Sequence, residues 1–295
     1  MLEIKNLSKG YDGREVLHQL NMKVERGEIH GLIGENGCGK TTLMKCITGI
    51  FKPETGEVTF EGEPVFENPS VKARIGYVAD DNPYFPRYRL GKMVTFFGRI
   101  YPDFDVEKIK YMNEVFKLDM NRRVSELSKG QKMRLAFMLN NAANTELLVM
   151  DEPTAGVDAV AKKELFEMLI REVENRGLTV LITSHNLLEL EKVCDSMTIM
   201  KAGRITADNQ IDEVKGEVRK FNFVFADGVP DGFLSQQGMV HYSNVGNIYT
   251  VIFRDKEDAE IEGIKEMYHP VYTEELSVDL EEVFIYTHGG ERDEK

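Results

Sequence analysis

The chain has 295 residues, 42% hydrophobic and 29% charged, which suits one sizeable globular domain with a smaller one beside it. A formal net charge of −13 is opposite to the basic footprint that phosphate-backbone binding needs, so no nucleic-acid partner is expected. No apolar run reaches the ~18 residues of a membrane-spanning helix, and Met1–Lys5 lacks a signal-peptide layout. Cys38, Cys46 and Cys194 form neither a Cys-x-x-Cys pair nor a Cys/His cluster, so a cytoplasmic chain in a reducing compartment is expected.

Leu2–Leu7 alternates as a strand, and Val16–Val24 repeats the pattern before a turn at Glu25–Glu28, predicting an antiparallel edge sheet. The apolar strand Ile29–Ile33 then enters a glycine-rich loop, and Thr41–Ile50 shows helical spacing through Leu43, Ile47 and Ile50. Beyond Pro53, Glu57–Phe60 and Ile75–Val78 read as strands, whereas 81–124 reads as a mostly helical insert. A helix at Lys132–Asn144, a buried-type strand at Leu147–Met150, a helix at Val160–Arg176 and a strand at Thr179–Ile182 follow. Such alternation predicts a parallel sheet covered by helices. After about Lys215 the texture changes to alternating strands, Lys220–Phe225 and Ile248–Phe253, so the expected domains are 1–215 and 216–295.

Gly34-Glu35-Asn36-Gly37-Cys38-Gly39-Lys40-Thr41-Thr42 fits G-x-x-x-x-G-K-[ST], placed between a predicted strand and a predicted helix. Glycines let successive N–H groups turn inward around a β-phosphate, the helix start adds partial positive charge, and Lys40 reaches the β/γ-phosphates. Thr41 would ligate Mg2+ through its hydroxyl, and Cys38 reads as a small tolerated side chain. Leu147–Met150 ends in Asp151-Glu152, two carboxylates at the carboxyl edge of the sheet, where ligands of open α/β folds bind. Asp151 is placed to hold Mg2+ and Glu152 to orient or deprotonate the water that attacks the γ-phosphate. His185 follows the next strand and is placed to reach the γ-phosphate or that water.

Leu127-Ser128-Lys129-Gly130-Gln131, taken alone, is a capped helix start with Ser128 as N-cap. Beside the phosphate loop it resembles the LSGGQ signature of ABC ATPases. The resemblance spans about residues 1–210 and implies a P-loop α/β fold with a parallel core sheet, an antiparallel β subdomain, a helical subdomain and a small C-terminal α+β unit. It also implies that Tyr11 stacks on adenine, that 155–158 is a D-loop ending in Asp158, and that His185 is a switch histidine. ATP and Mg2+ would be bound, with Ser128, Lys129, Gly130, Gln131 and Asp158 acting in trans on the nucleotide of a second ATPase subunit. The homo- or heteromeric nature of that pair stays open.

Two positions depart from the family pattern. Asp80 stands where a glutamine is usual, and an aspartate there could ligate Mg2+ directly. Lys129 replaces the first glycine of the signature pair and either tunes phosphate affinity in trans or points to solvent. Soluble family members carry long coiled coils, zinc modules or two ATPase halves, and none is present here. The resemblance therefore favours a transporter ATPase working with a separate membrane permease, peripheral on the cytoplasmic face of the membrane. A soluble regulatory or mechanical ATPase is the alternative. Leu276–Phe284 is similar to the tail of drug, bacteriocin and polysaccharide exporter ATPases, which favours export. Read by itself, it is an amphipathic helix with Leu280, Val283 and Phe284 on one face.

Overall fold

In the computed structural model the described residues are 1–286 except 83, 212–215, 217, 227, 255, 281, 284 and 285, with backbone only at 209. Phe284, expected on the apolar face of the tail, lies outside the described residues. The chain divides into two compact units, Met1–Asp208 and Asn209–Lys295.

In the first unit, β1 (Leu2–Tyr11) and β2 (Arg14–Val24) form an antiparallel hairpin. Its turn, Asp12-Gly13, has positive φ at both residues, the geometry that matches strand twist. β3 is Ile29–Gly34, α1 Lys40–Ile47, β4 Thr55–Phe60 and β5 Glu63–Pro64. β2, β1, β4 and β5 make a four-stranded sheet in that order. Its inward residues, Leu2, Ile4, Leu7, Leu20, Val58 and Phe60, bury against Leu43, Met44 and Ile47 of α1. The predicted edge sheet is thus a layer of its own, fixed to the helix that follows the phosphate loop.

After α2 (Pro69–Lys72) and β6 (Ile75–Val78), the insert holds α3 (Leu90–Ile100) and α4 (Val106–Phe116). Asp105 caps α4, accepting from the Glu107 and Lys108 amides. α5 runs over Lys129–Ala142, starting before the expected Lys132. The reason is local: the Ser128 hydroxyl accepts from the Gln131 amide, and the Gln131 side chain accepts from the Ser128 amide, a reciprocal cap that begins the helix at Lys129. β7 (Leu147–Met150), α6 (Ala159–Arg176), β8 (Thr179–Ser184), α7 (Leu187–Leu190), β9 (Ser196–Lys201) and β10 (Arg204–Gln210) complete the series.

The central sheet has the order β10-β9-β3-β8-β7-β6. β9, β3, β8, β7 and β6 pair in parallel. β7 and β8 are buried at every residue, as expected of strands covered on both faces. The register sets Ile33 beside Ser184, Met150 beside Ile182 and Val78 beside Met150. The loops after β3, β6, β7 and β8 therefore leave the sheet along one carboxyl edge.

The second unit contains β11 (Val218–Val224), β12 (Met239–Val245), β13 (Ile248–Arg254), α8 (Asp258–Tyr268) and β14 (Tyr272–Leu276). Its antiparallel sheet has the order β12-β13-β11-β14. Phe221, Phe223, Phe225, Phe233, Val251, Phe253, Ile261 and Ile264 form its own core. Leu280 and Val283 are also buried. Among the described residues no helix is long and apolar enough to cross a membrane.

Candidate functional site

The loop from Gly34 to Gly39 is shaped by its glycines. Gly37 and Gly39 have φ of 81° and 113°, a region in which side chains are strained. A Cβ on Gly34 would lie 2.3 Å from the Met200 carbonyl oxygen and 2.6 Å from Cys38 Sγ, so the loop passes too close to β9 for any other residue. Cys38 is buried in that contact, and burial raises its thiol pKa. Gly39 caps α1, whose first turn carries Lys40, Thr41 and Thr42. No acidic residue stands in that turn, so its partial positive charge is uncompensated within the helix.

Lys40 is only 6% exposed, and its ammonium donates to the Gly34 carbonyl at 2.6 Å and the Glu35 carbonyl at 3.3 Å. The same ammonium lies 3.4 Å from Glu152 Oε1. On its other oxygen, Glu152 contacts His185 Nδ1 at 2.8 Å. Three residues read separately from three segments are therefore in one chain of contacts, Lys40–Glu152–His185. Among the described residues Glu152 Oε1 is a buried acceptor to which no group donates. The His185 ring is 56% exposed at the mouth of the site.

Asp151 is 1% exposed. Its Oδ1 accepts from Thr183 Oγ1 at 2.9 Å and its Oδ2 from Tyr77 at 3.5 Å. Burial first, and the Asp151 charge second, hold the Tyr77 phenol far above its ordinary range, so it stays a donor. Thr183 also accepts from the Glu152 amide at 2.8 Å. One hydroxyl thus sets the position of both carboxylates. It also braces Glu152 in a left-handed conformation, φ 47°, that costs a non-glycine residue about 1–2 kcal/mol.

Asp151 shares a cavity of about 1020 Å³ with Thr41, Asp80, Asn82 and Asn140. Ile50, Tyr84, Phe97, Ile100 and Tyr101 give it an apolar wall as well. One buried carboxylate and a threonine hydroxyl on the same cavity suit Mg2+, which takes few protein ligands and fills its shell with water and phosphate oxygens. Among the described residues no cluster of three His, Cys, Asp or Glu forms an all-protein metal cage. The Asp80 carboxylate, expected at the metal, lines that cavity and accepts from Lys129 Nζ at 2.5 Å.

Ser128 caps α5, and Lys129, Gly130 and Gln131 form its first turn. There they meet Asp80 and the turn before α6: a Cβ on Gly130 would lie 3.3 Å from Val157. Asp158 caps α6, accepting from the Ala161 amide at 3.0 Å, and this bond lowers its carboxyl pKa. Tyr11, at the end of β1, presents its ring edge-on to Phe51 at 5.8 Å and remains exposed.

Sequence reasoning missed Thr183, Tyr77 and Glu189. Glu189 accepts from Thr154 Oγ1 at 2.8 Å, from Lys162 at 2.6 Å and from Asn186 at 3.3 Å. It ties the loop after the Asp-Glu pair to the turn after His185. Its distance from Lys162 along the helix pattern gives no local signal of this role.

The family model described as ABC transporter matches residues 17–155. The ABC transporter ATP-binding protein YtrB of Bacillus subtilis (strain 168) is 35% identical over 292 residues, 99% of each chain, so the likeness includes the second unit. The lantibiotic transport ATP-binding protein SrtF of Streptococcus pyogenes is 31% identical over 226 residues, 75% of this chain and 96% of its own length. A solved structure described as the ATP binding subunit of an ABC transporter superposes with a TM-score of 0.67 at 27% identity, covering 73% of this chain and 92% of that one.

Proposed function

The chain belongs to the family of ABC transporter ATP-binding subunits and is an ATPase, and from that premise we propose that two such subunits close on ATP, hydrolyse it and so drive a separate membrane permease. The observation that carries the catalytic assignment is Glu152: its Oε1 is buried, receives no hydrogen bond among the described residues, and points to the lysine of the phosphate loop. A carboxylate in that state is free to take a hydrogen bond from an attacking water.

In this reading Lys40 exchanges the Gly34 and Glu35 carbonyls for β- and γ-phosphate oxygens. The amides of 37–42 enclose the β-phosphate. Thr41 and Asp151 would hold Mg2+, which when bound neutralises charge building on the phosphate oxygens. Glu152 Oε1 orients the water and accepts its proton, while His185 holds the other carboxylate oxygen and faces the γ-phosphate. Ser128 and the amides of Lys129, Gly130 and Gln131 form a second anion-binding helix start, and the phosphate for it comes from the partner subunit's nucleotide. Asp158 at the start of α6 joins the same interface, and Tyr11 offers a ring to the adenine.

The apolar wall of the large cavity supports docking of a permease segment close to the metal residues, a direct route from phosphate to membrane partner. That partner places the chain at the cytoplasmic face of the membrane. Export is the proposed direction, resting on the tail resemblance. The test is Glu152→Gln with ATP and Mg2+. The variant keeps ATP affinity, sediments as a closed pair and loses turnover; full turnover would remove Glu152 from the chemistry. Copurification with a multi-span protein encoded beside this one supports the permease, and association only with soluble partners would replace transport by a regulatory ATPase.

A further inference from the structure

The two positions that depart from the family pattern stand side by side. Lys129 Nζ donates to Asp80 Oδ1 at 2.5 Å, across 49 positions of sequence. Asp80 lies in the loop after β6 and Lys129 is the first residue of α5, so the pair joins the edge of the metal cavity to the start of the signature helix. Both side chains are about half exposed, 54% and 45%. They line a cleft of about 250 Å³ together with Asp81, Asn82 and Lys132.

A cation at a helix N-terminus is electrostatically misplaced, because that end already carries partial positive charge. Lys129 and Lys132 both fall in the first turn of α5, and no acidic residue of the helix offsets them there. The compensating charge comes from another element, the Asp80 carboxylate. Its position, one ammonium length from the signature, is that of an anion supplied from within the chain.

We infer that Asp80 is an internal stand-in for phosphate, a clasp that occupies Lys129 in the unpaired subunit and releases it to the γ-phosphate when the second subunit brings ATP. The inference rests on the pairing described under Proposed function and adds to it a residue that sets how readily pairing occurs. Both departures then have one cause. A lysine in the signature adds a charge for phosphate, and an aspartate at position 80 keeps that charge from binding other anions in the open subunit. Exposed ion pairs contribute only about twofold to fivefold to an equilibrium, so the clasp tunes pairing without preventing it.

The test measures ATP-driven pairing by sedimentation in a Glu152→Gln background with Mg2+. Asp80→Asn tightens pairing about threefold, in line with an exposed ion pair. Lys129→Ala weakens it, and Asp80→Asn has no further effect once Lys129 is replaced, since coupled residues are non-additive. Equal Asp80→Asn effects with and without Lys129 would overturn the clasp. So would a higher Mg2+ requirement for ATP binding by Asp80→Asn, which would return the carboxylate to the metal. If the Glu152→Gln parent itself fails to pair, the pairing reading falls and the clasp with it; independent effects in a parent that pairs refute the clasp alone.

Discussion

Thr183→Val removes one hydroxyl and keeps the side-chain shape, and the structure assigns that hydroxyl two bonds, one to the Asp151 carboxylate and one from the Glu152 amide. Thr183 is fully buried, so water cannot replace either bond without opening the sheet. A hydrogen bond to a charged group contributes about 1.5–3 kcal/mol and a neutral one about 1 kcal/mol, giving a loss of about 3 kcal/mol. For a unit of this size that corresponds to a fall in Tm of roughly 6–12 °C. Turnover should fall more than ATP affinity, because the bonds that are lost orient carboxylates and leave the phosphate loop intact. Calorimetry and steady-state kinetics measure the two effects, and Thr183→Ser, which restores the hydroxyl, should recover most of both. A valine variant with native Tm and native kcat would refute the claim that one hydroxyl positions both carboxylates.

Lys40→Ala removes the ammonium facing the phosphate loop, and ATP affinity measured by titration should weaken roughly 10- to 100-fold, the scale of charge-assisted hydrogen bonds. Gly34→Ala pushes a methyl group to 2.3 Å from a backbone oxygen that cannot rotate away. It should cost about 1–3 kcal/mol by thermal unfolding and weaken ATP binding with it; unchanged melting would show that the loop has slack. Burial raises the thiol pKa of Cys38 and Cys194 and pushes that of Cys46 up to about 11. Raised values leave the thiols protonated near pH 8, so a disulfide-exchange reagent should label the native chain slowly and the urea-unfolded chain at once. Rapid labelling of the native chain would contradict this.

What the residues alone disclosed is what local pattern encodes. The Gly34–Thr42 loop is contiguous, so its glycines, lysine and threonine fall in one short pattern, and the flanking strand and helix have periods visible in a short window. Four apolar residues ending in Asp151-Glu152 announce a buried strand and its carboxyl edge in the same way, and the Ser128–Gln131 cap sets its own helix start. The alternating texture after residue 215 likewise announced strands, and β11 and β13 stand at Val218–Val224 and Ile248–Arg254.

The pairings between segments depended on tertiary structure. Parallel pairing of β3, β8, β7 and β6 brings four loops to one edge, and only that register sets Glu152 between Lys40 and His185. Thr183 serves residues 31 and 32 positions away, Glu189 reaches Thr154 across 35, and Lys129 reaches Asp80 across 49. None of these distances is a period of helix or strand, so no window carries them. A side chain's period reports which face it occupies, whereas its partner is chosen by how the sheet and its covering helices pack, and that choice is made by the burial of the whole core.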